Sequence, residues 1–336
     1  MSLELPILRV GHAGFSLDQL ELLRSAAARE LSTGLTWDLS EVGEADALLL
    51  NGPRCHTLPD GTLRVAPGMP AARALHLALH ELGRPIAFGL PLAPHAPPAS
   101  ITFEPADERS VKLALRGIAQ SLSLLVAQFC VASQILQQDN AIGAGVYHLT
   151  APHGELLAVV NLRGDVGVLP TAYPPDIDAA SWTAQPRDAA PHIPPHLVRC
   201  SLSELMWSYA LRTTHETLPD RYTRGPIYFR RPPRLPQRLL GDSHLLLLRE
   251  LAYSPASFTQ LGQRTGLDGS QLAQDLGALY LVGAITANPK RASHGTLRQG
   301  PDSSASDHHL PSSLRDSAPG ALRPLADVTA PAPLAF

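Results

Sequence analysis

The stretch ADALLLNG, residues 45–52, is an apolar run that stops abruptly at Asn51 and Gly52. A short continuous apolar run closed by a turn pair reads as a strand buried on both faces, the kind found in parallel sheets. Outward from it, PILRVGH (6–12) reads as another strand, and Ser16 caps the helix SLDQLELLRSAAARELSTG, where Leu17, Leu20, Leu23 and Ala27 keep helical spacing. AARALHLALHELG (71–83) gives a second helix and RPIAFGLPL (84–92) a third strand. Alternation of this kind predicts an α/β domain over 1–98 with a parallel sheet covered by helices. Ligands of such sheets gather at the carboxyl ends of the strands, which places Gly11, His12, Asn51, Gly52 and Gly89 on one rim.

The 336 residues suffice for more than one core, and the formal charge of −3 gives no global basic field for nucleic acid or anionic membrane. Of the 27 basic residues only Lys112 and Lys290 are lysines, a bias of the kind a GC-rich bacterial genome imposes. Cys55, Cys130 and Cys200 stand singly, without CxxC spacing, so a reducing cytoplasm is expected and a disulfide framework or thiolate zinc site is not. The opening MSLELPILRV lacks a basic segment before its apolar run and does not read as an export signal.

After the proline-rich joint LAPHAPPAS, Asp107 caps a long connecting helix within 99–140, with Ile118, Leu122, Leu125, Phe129, Ala132 and Leu136 on one face. No charge occurs between Arg116 and Asp139, but glutamines and serines interrupt the run, so a buried or interfacial helix is expected instead of a membrane span. That face either closes its own domain or pairs with a second copy, giving a homodimer. A mixed α+β region over 141–238 follows, with the hairpin strands GVYHLTA (145–151) and ELLAVVNLR (155–163) and the helix LSELMWSYALRT (202–213). Residues 239–288 read as helix, short helix, turn at Gly266 and third helix; from 289 to 336 Pro, Ser, Gly and Asp without periodicity predict a disordered tail.

The first hundred residues resemble a response-regulator receiver domain. That family has an acidic pair after the first strand, a phosphoacceptor aspartate ending the third and a lysine ending the fifth. Here Gly11 and His12 follow the first strand, Asn51 stands for the aspartate, and no lysine precedes Lys112. Magnesium needs hard anionic oxygens, and an amide is too weak a nucleophile to accept a phosphoryl group. The resemblance therefore implies a degenerate receiver that binds and does not catalyse. Residues 241–287 resemble winged-helix modules, whose third helix reads the major groove with basic and amide side chains. In this unit two arginines, Arg249 and Arg264, face four carboxylates, Asp242, Glu250, Asp268 and Asp275, a net −2. Gln271 and Gln274 are the candidates for a DNA-reading helix, and Leu272 and Leu276 for a partner-binding one, with protein contacts favoured because phosphate anchors are missing.

The most basic stretch is RYTRGPIYFRRPPRLPQR (221–238), with Arg221, Arg224, Arg230, Arg231, Arg234 and Arg238. Arginine forks grip phosphate and stack on bases, so this is the candidate site for an anion or a nucleotide second messenger. RLPQR repeats the RxxxR spacing of PilZ-type receptors without their partner motif. The prolines favour a linker. His76 and His80 have zinc-like spacing but no third ligand, and GDSH (241–244) is similar to the serine block of some esterases yet opens a helix. No Gly-rich phosphate loop and no GxSxG occurs, so neither cofactor nor metal is expected. The sequence thus predicts a non-enzymatic, cytoplasmic, bacterial signalling protein acting on another protein, with a DNA-binding regulator and a second-messenger receptor as alternatives.

Overall fold

The computed structural model describes residues 3–293 apart from 33, 41, 44, 71, 80–82, 95, 98, 139–142, 144 and 187–191. The chain begins with β1 (Ile7–Ala13), α1 (Leu17–Ala28), β2 (Thr36–Ser40) and β3 (Ala47–Asn51). Ser16 and Gln19 cap α1 reciprocally, each side chain accepting from the other's backbone N–H. A 3-10 turn, Gly52–Arg54, then leads into an antiparallel meander of β4 (Cys55–Thr57), β5 (Thr62–Val65) and β6 (Leu75–Ala78). The chain returns as β7 (Ile86–Gly89) and β8 (Ile101–Phe103), completing a five-stranded parallel sheet of order β2-β1-β3-β7-β8. With the meander set aside, this is the strand order of flavodoxin-like sheets.

The helix expected over 71–83 is corrected. Leu75–Ala78 pairs with β5, placing exposed His76 opposite Arg64, while His80 lies outside the described residues. Leu-His-Leu-Ala fits a period of two as well as a helical one, and ladder pairing decides between them. The consequence is that the sheet is covered differently on its two faces. Leu8, Val10, Ala47, Leu49, Ala87 and Phe103 belong to the core shared with the helices, whereas Leu48, Leu50 and Phe88 pack on Cys55, Leu63, Val65 and Leu77 of the meander.

The single long helix is also corrected. It is α2 (Glu108–Ser121) and α3 (Ser123–Gln137), bent by 64° at Leu122. Ser121 Oγ donates to the Gly117 carbonyl, a back-bond that bends helices, and the two halves serve different sheets. Among the described residues no single helix is long and apolar enough to cross a membrane. Ile118, Leu122, Phe129 and Ala132 are buried within the chain itself.

The middle region contains β9 (Val146–Thr150), β10 (Leu156–Asn161), β11 (Asp165–Val168), α4 (Pro174–Asp178), β12 (Ser181–Ala184), β13 (Val198–Ser201) and α5 (Leu202–Ala210). Its antiparallel sheet runs β12-β9-β10-β11-β13, with the expected hairpin at its centre. The last unit contains α6 (Arg221–Arg224), β14 (Pro226–Phe229), α7 (Asp242–Tyr253), β15 (Ala256–Ser257), α8 (Phe258–Thr265), α9 (Gly269–Leu281) and β16 (Ile285–Thr286). Gly266, at φ +72°, makes the expected turn between α8 and α9. The first half of the Arg/Pro-rich stretch is no linker: β14 is the central strand between β15 and β16. Residues 289–291 form a 3-10 turn, and Ser293 N–H donates to the Phe229 carbonyl, so the chain here is tied back to β14; the rest of the expected tail, 294–336, lies outside the described residues.

One contiguous core joins the helix-covered face of the parallel sheet to the middle region and the last unit, while the meander keeps its own smaller cluster. Two polar anchors fix the parallel sheet to α5. Arg212 donates to Asp46 at 2.6 Å, both mostly buried, and Asp46 also accepts from the Arg9 N–H. Glu4 accepts from Tyr209, Thr213 and Thr214 and pairs with His215 at 2.8 Å. Burial alone would raise the Glu4 pKa, but the Thr213, His215, Thr214 and Tyr209 hydrogen bonds outweigh it and hold the carboxyl below its ordinary value.

Candidate functional site

β3 delivers Asn51 to the carboxyl rim of the parallel sheet, in register with Gly89 of β7. The side chain is 7% exposed and its amide donates to the Gly14 carbonyl at 2.8 Å. The same nitrogen lies 3.5 Å from Gln19 Oε1, which already accepts from Ser16 N–H at 3.0 Å. Gly14 has φ +84°, a conformation that suits glycine. Asn51 is therefore a clamp between the end of β3 and the β1–α1 turn. A carboxylate could not take its place, because the carbonyl requires a donor.

The rest of the rim is filled. A Cβ on Gly52 would come 2.2 Å from the Gly89 carbonyl oxygen, and one on Gly68 would come 2.1 Å from that of Phe15. The Phe15 and Phe103 rings lie 6.1 Å apart beside Gly89 and Pro105. Gly11 and His12 are not at this edge, since β1 continues to Ala13. Gly11 is opposite Leu48, where a Cβ would meet Val42, Ala45 and Leu48 at 2.9 Å. His12 is half-buried, and burial followed by the Arg24 charge lowers its pKa, favouring the neutral ring. Gly52 and Gly89 lie at the ends of β3 and β7 as close-packing positions.

The third helix of the last unit faces inward. Leu272 and Leu276 of α9 are 1% and 0% exposed, and the helix packs on α5. Gln274 Nε2 donates to the Leu211 carbonyl at 3.3 Å, while Gln271 is exposed in the first turn. The Thr217 hydroxyl approaches so near Gly277 that a Cβ there would stand 2.1 Å from it. Sequence reasoning missed one buried pair: His244 Nε2 lies 3.3 Å from Asp275 Oδ1, with the Trp207 ring 4.6 Å from the imidazole. Its signal was the single charge inside SQLAQDLGALYLVGA. Because His244 Nδ1 accepts from Gly241 N–H, no ring nitrogen is left to activate Ser243, and GDSH carries no hydrolase geometry.

The arginines of 221–238 separate into two groups. Arg221 lies 5.4 Å and 5.7 Å from the Tyr222 and Tyr280 ring centroids, and Arg224 pairs with Asp220 at 3.0 Å. Arg230 and Arg231 instead converge over Gly283, in the turn between α9 and β16, and Arg234 is close enough to perturb Arg231. Arg238 is exposed in a 3-10 turn, Gln237–Leu239. A separate cleft of about 400 Å³ lies near the amino ends of β1 and β2, lined by Arg9, Asp38, Thr213, His215, Glu216 and Gln274 among others. No group of three or more metal-ligating side chains occurs among the described residues. Comparison with protein-family models, with curated proteins and with solved structures finds no match to this chain.

Proposed function

We propose that this chain is a non-catalytic regulatory protein whose amino-terminal domain is receiver-like and has exchanged phosphorylation chemistry for structural hydrogen bonding, and which acts through contacts with another protein. The observation that carries the reading is the Asn51 amide, donating to Gly14 in a closed rim. On this reading the strand ends stand for the receiver positions. β1 ends at Ala13 and Gly14 follows it, so the acidic pair is replaced by two residues without carboxylates. β8 ends at Phe103, followed by Glu104, an acid where the family carries lysine. A magnesium ion would lack the acidic pair there, and a phosphoryl group the lysine.

The DNA-binding alternative is disfavoured by the same kind of accounting. A recognition helix needs a free face for the major groove, and α9 is buried from Asp275 to Leu281 against its own unit and α5, which leaves only its first turn exposed. Its leucines are equally unavailable to a protein partner, so partner contacts belong to other surfaces.

The test is incubation with acetyl phosphate and magnesium followed by intact mass, on the parent and on Asn51→Asp. Neither chain is expected to gain a phosphoryl group, because restoring the acceptor does not restore the acidic pair. A stoichiometric adduct that Asn51→Ala abolishes would overturn the proposal.

A further inference from the structure

The end of β14 is held rigidly. Arg230 and Arg231 both donate their backbone N–H to the Ala284 carbonyl, at 2.8 Å and 3.3 Å, and Pro232 and Pro233 then restrict the following backbone. Gly283 turns with φ +68°, and guanidinium groups border the space its missing side chain leaves: a Cβ there would meet Arg231 Nη2 at 3.3 Å and Arg230 Nη1 at 3.7 Å. Elsewhere the arginines drawn into the fold have partners, as Arg212 has Asp46 and Arg116 has Glu30. Among the described residues neither Arg230 nor Arg231 has an ion pair or a side-chain hydrogen bond, and Arg231 Nε is buried with no acceptor. Arg231 is pulled below its ordinary pKa first by burial and then by the Arg230 and Arg234 charges, so like charges are gathered at a cost to the free protein.

From this geometry we infer that Arg230 and Arg231 form a binding site for a small soluble ligand bearing a phosphate or pyrophosphate group. A phosphate carries close to two negative charges and several strong acceptor oxygens, which matches adjacent guanidinium forks better than a single carboxylate does. The cluster is compact and not strung along a face, and the unit from Gly241 to Ala287 carries net −2, so it suits one anionic group and not a nucleic-acid backbone. The backbone hydrogen bonds and the prolines place the arginines before the ligand arrives, which reduces the ordering entropy of binding. Arg221 and Arg224 remain with their local partners.

The experiment is titration of the full chain with inorganic pyrophosphate at constant ionic strength, followed by calorimetry and by thermal melting. Saturable binding and a rise in melting temperature are expected. Arg231→Ala should weaken binding about tenfold or more, the loss of a charge-assisted hydrogen bond, and Arg231→Lys should restore part of it. Circular dichroism of each variant separates loss of binding from loss of fold, and the melting shift of the parent needs no variant at all. Absence of saturable binding to the parent, or equal affinity in folded Arg231→Ala and Arg230→Ala chains, overturns the inference. So does tight binding of duplex DNA through these arginines that pyrophosphate fails to displace, since that makes the cluster a nucleic-acid contact.

Discussion

Asn51 and Arg231 occupy comparable places. Asn51 closes β3 and Arg231 lies just beyond β14, each beside a glycine in the left-handed region, Gly14 at φ +84° and Gly283 at φ +68°. They differ in what their nitrogens meet. The Asn51 amide has the Gly14 carbonyl at 2.8 Å, whereas Arg231 Nε is buried without an acceptor among the described residues and its neighbours are further arginines. A buried polar group whose hydrogen bonds are complete stabilises the fold and has little left to offer a ligand; one left incomplete costs stability until something binds it. The position that sequence resemblance marks as chemical is thus the spent one, and the stretch that its prolines mark as linker holds the unspent charge.

The strongest way to break this contrast is to open the rim. Gly52→Val places side-chain atoms where a Cβ already falls 2.2 Å from the Gly89 carbonyl oxygen, and the strand ends β3 and β7 must separate to admit them. A loss of about 3 kcal/mol in urea unfolding is expected. An unchanged midpoint means the rim is open and the clamp reading of Asn51 is unnecessary.

Asn51→Asp attacks the clamp itself. The donor to Gly14 disappears and a carboxylate is set against a carbonyl oxygen, so about 2 kcal/mol is expected to be lost at neutral pH. Burial beside an oxygen disfavours the charged acid and raises its folded pKa above the unfolded value. Stability relative to the parent should therefore recover as the pH falls through that pKa, which denaturant melts at several pH values measure.

Glu4 shows the opposite sign in a region of completed bonds. Its folded pKa is depressed below the ordinary 4.5, so its contribution is present above that value and is lost as the pH falls. Glu4→Gln keeps the size but removes the charge that Thr213, Thr214, Tyr209 and His215 converge on, and should cost about 1 kcal/mol at pH 7. Parent and variant should converge as the pH falls through the folded pKa and the parent's carboxyl is protonated as well. Parallel acid melts that never converge would sink this account of the junction.

Much of the architecture was legible because local signals and tertiary pairing agree. ADALLLNG gives β3, Ser16 gives the start of α1, and Gly266 gives the turn before α9. The errors lie where long-range contacts decide. ALHLAL around Leu77 satisfies two periodicities, and only pairing with β5 selects the strand. The break at Leu122 has neither proline nor glycine to announce it and follows from α2 and α3 covering different sheets. At the rim, Asn51 and its flanking glycines were legible as residues, but not the Gly14 carbonyl that gives the amide its role. In the arginine stretch all six side chains were visible in sequence, and only the fold shows that Arg224 has Asp220 while Arg230 and Arg231 meet over Gly283.

The smallest expected effect sharpens the contrast within that stretch. Arg224 and Asp220 pair at 3.0 Å one helical turn apart, with both side chains 79% exposed. Such a pair gains little Coulomb energy in water and orders two side chains to do so, so Arg224→Ala should shift stability by less than about 0.5 kcal/mol. It should also leave the affinity for pyrophosphate within about twofold of the parent, because a screened surface charge outside the cluster acts on the anion only at long range. Arg231→Ala and Arg224→Ala each remove one positive charge from the same segment, so net charge cannot distinguish them. Equal losses of binding in the two would show that the segment attracts anions by its overall field, and the distinction between paired and unpaired arginines would then carry no functional meaning.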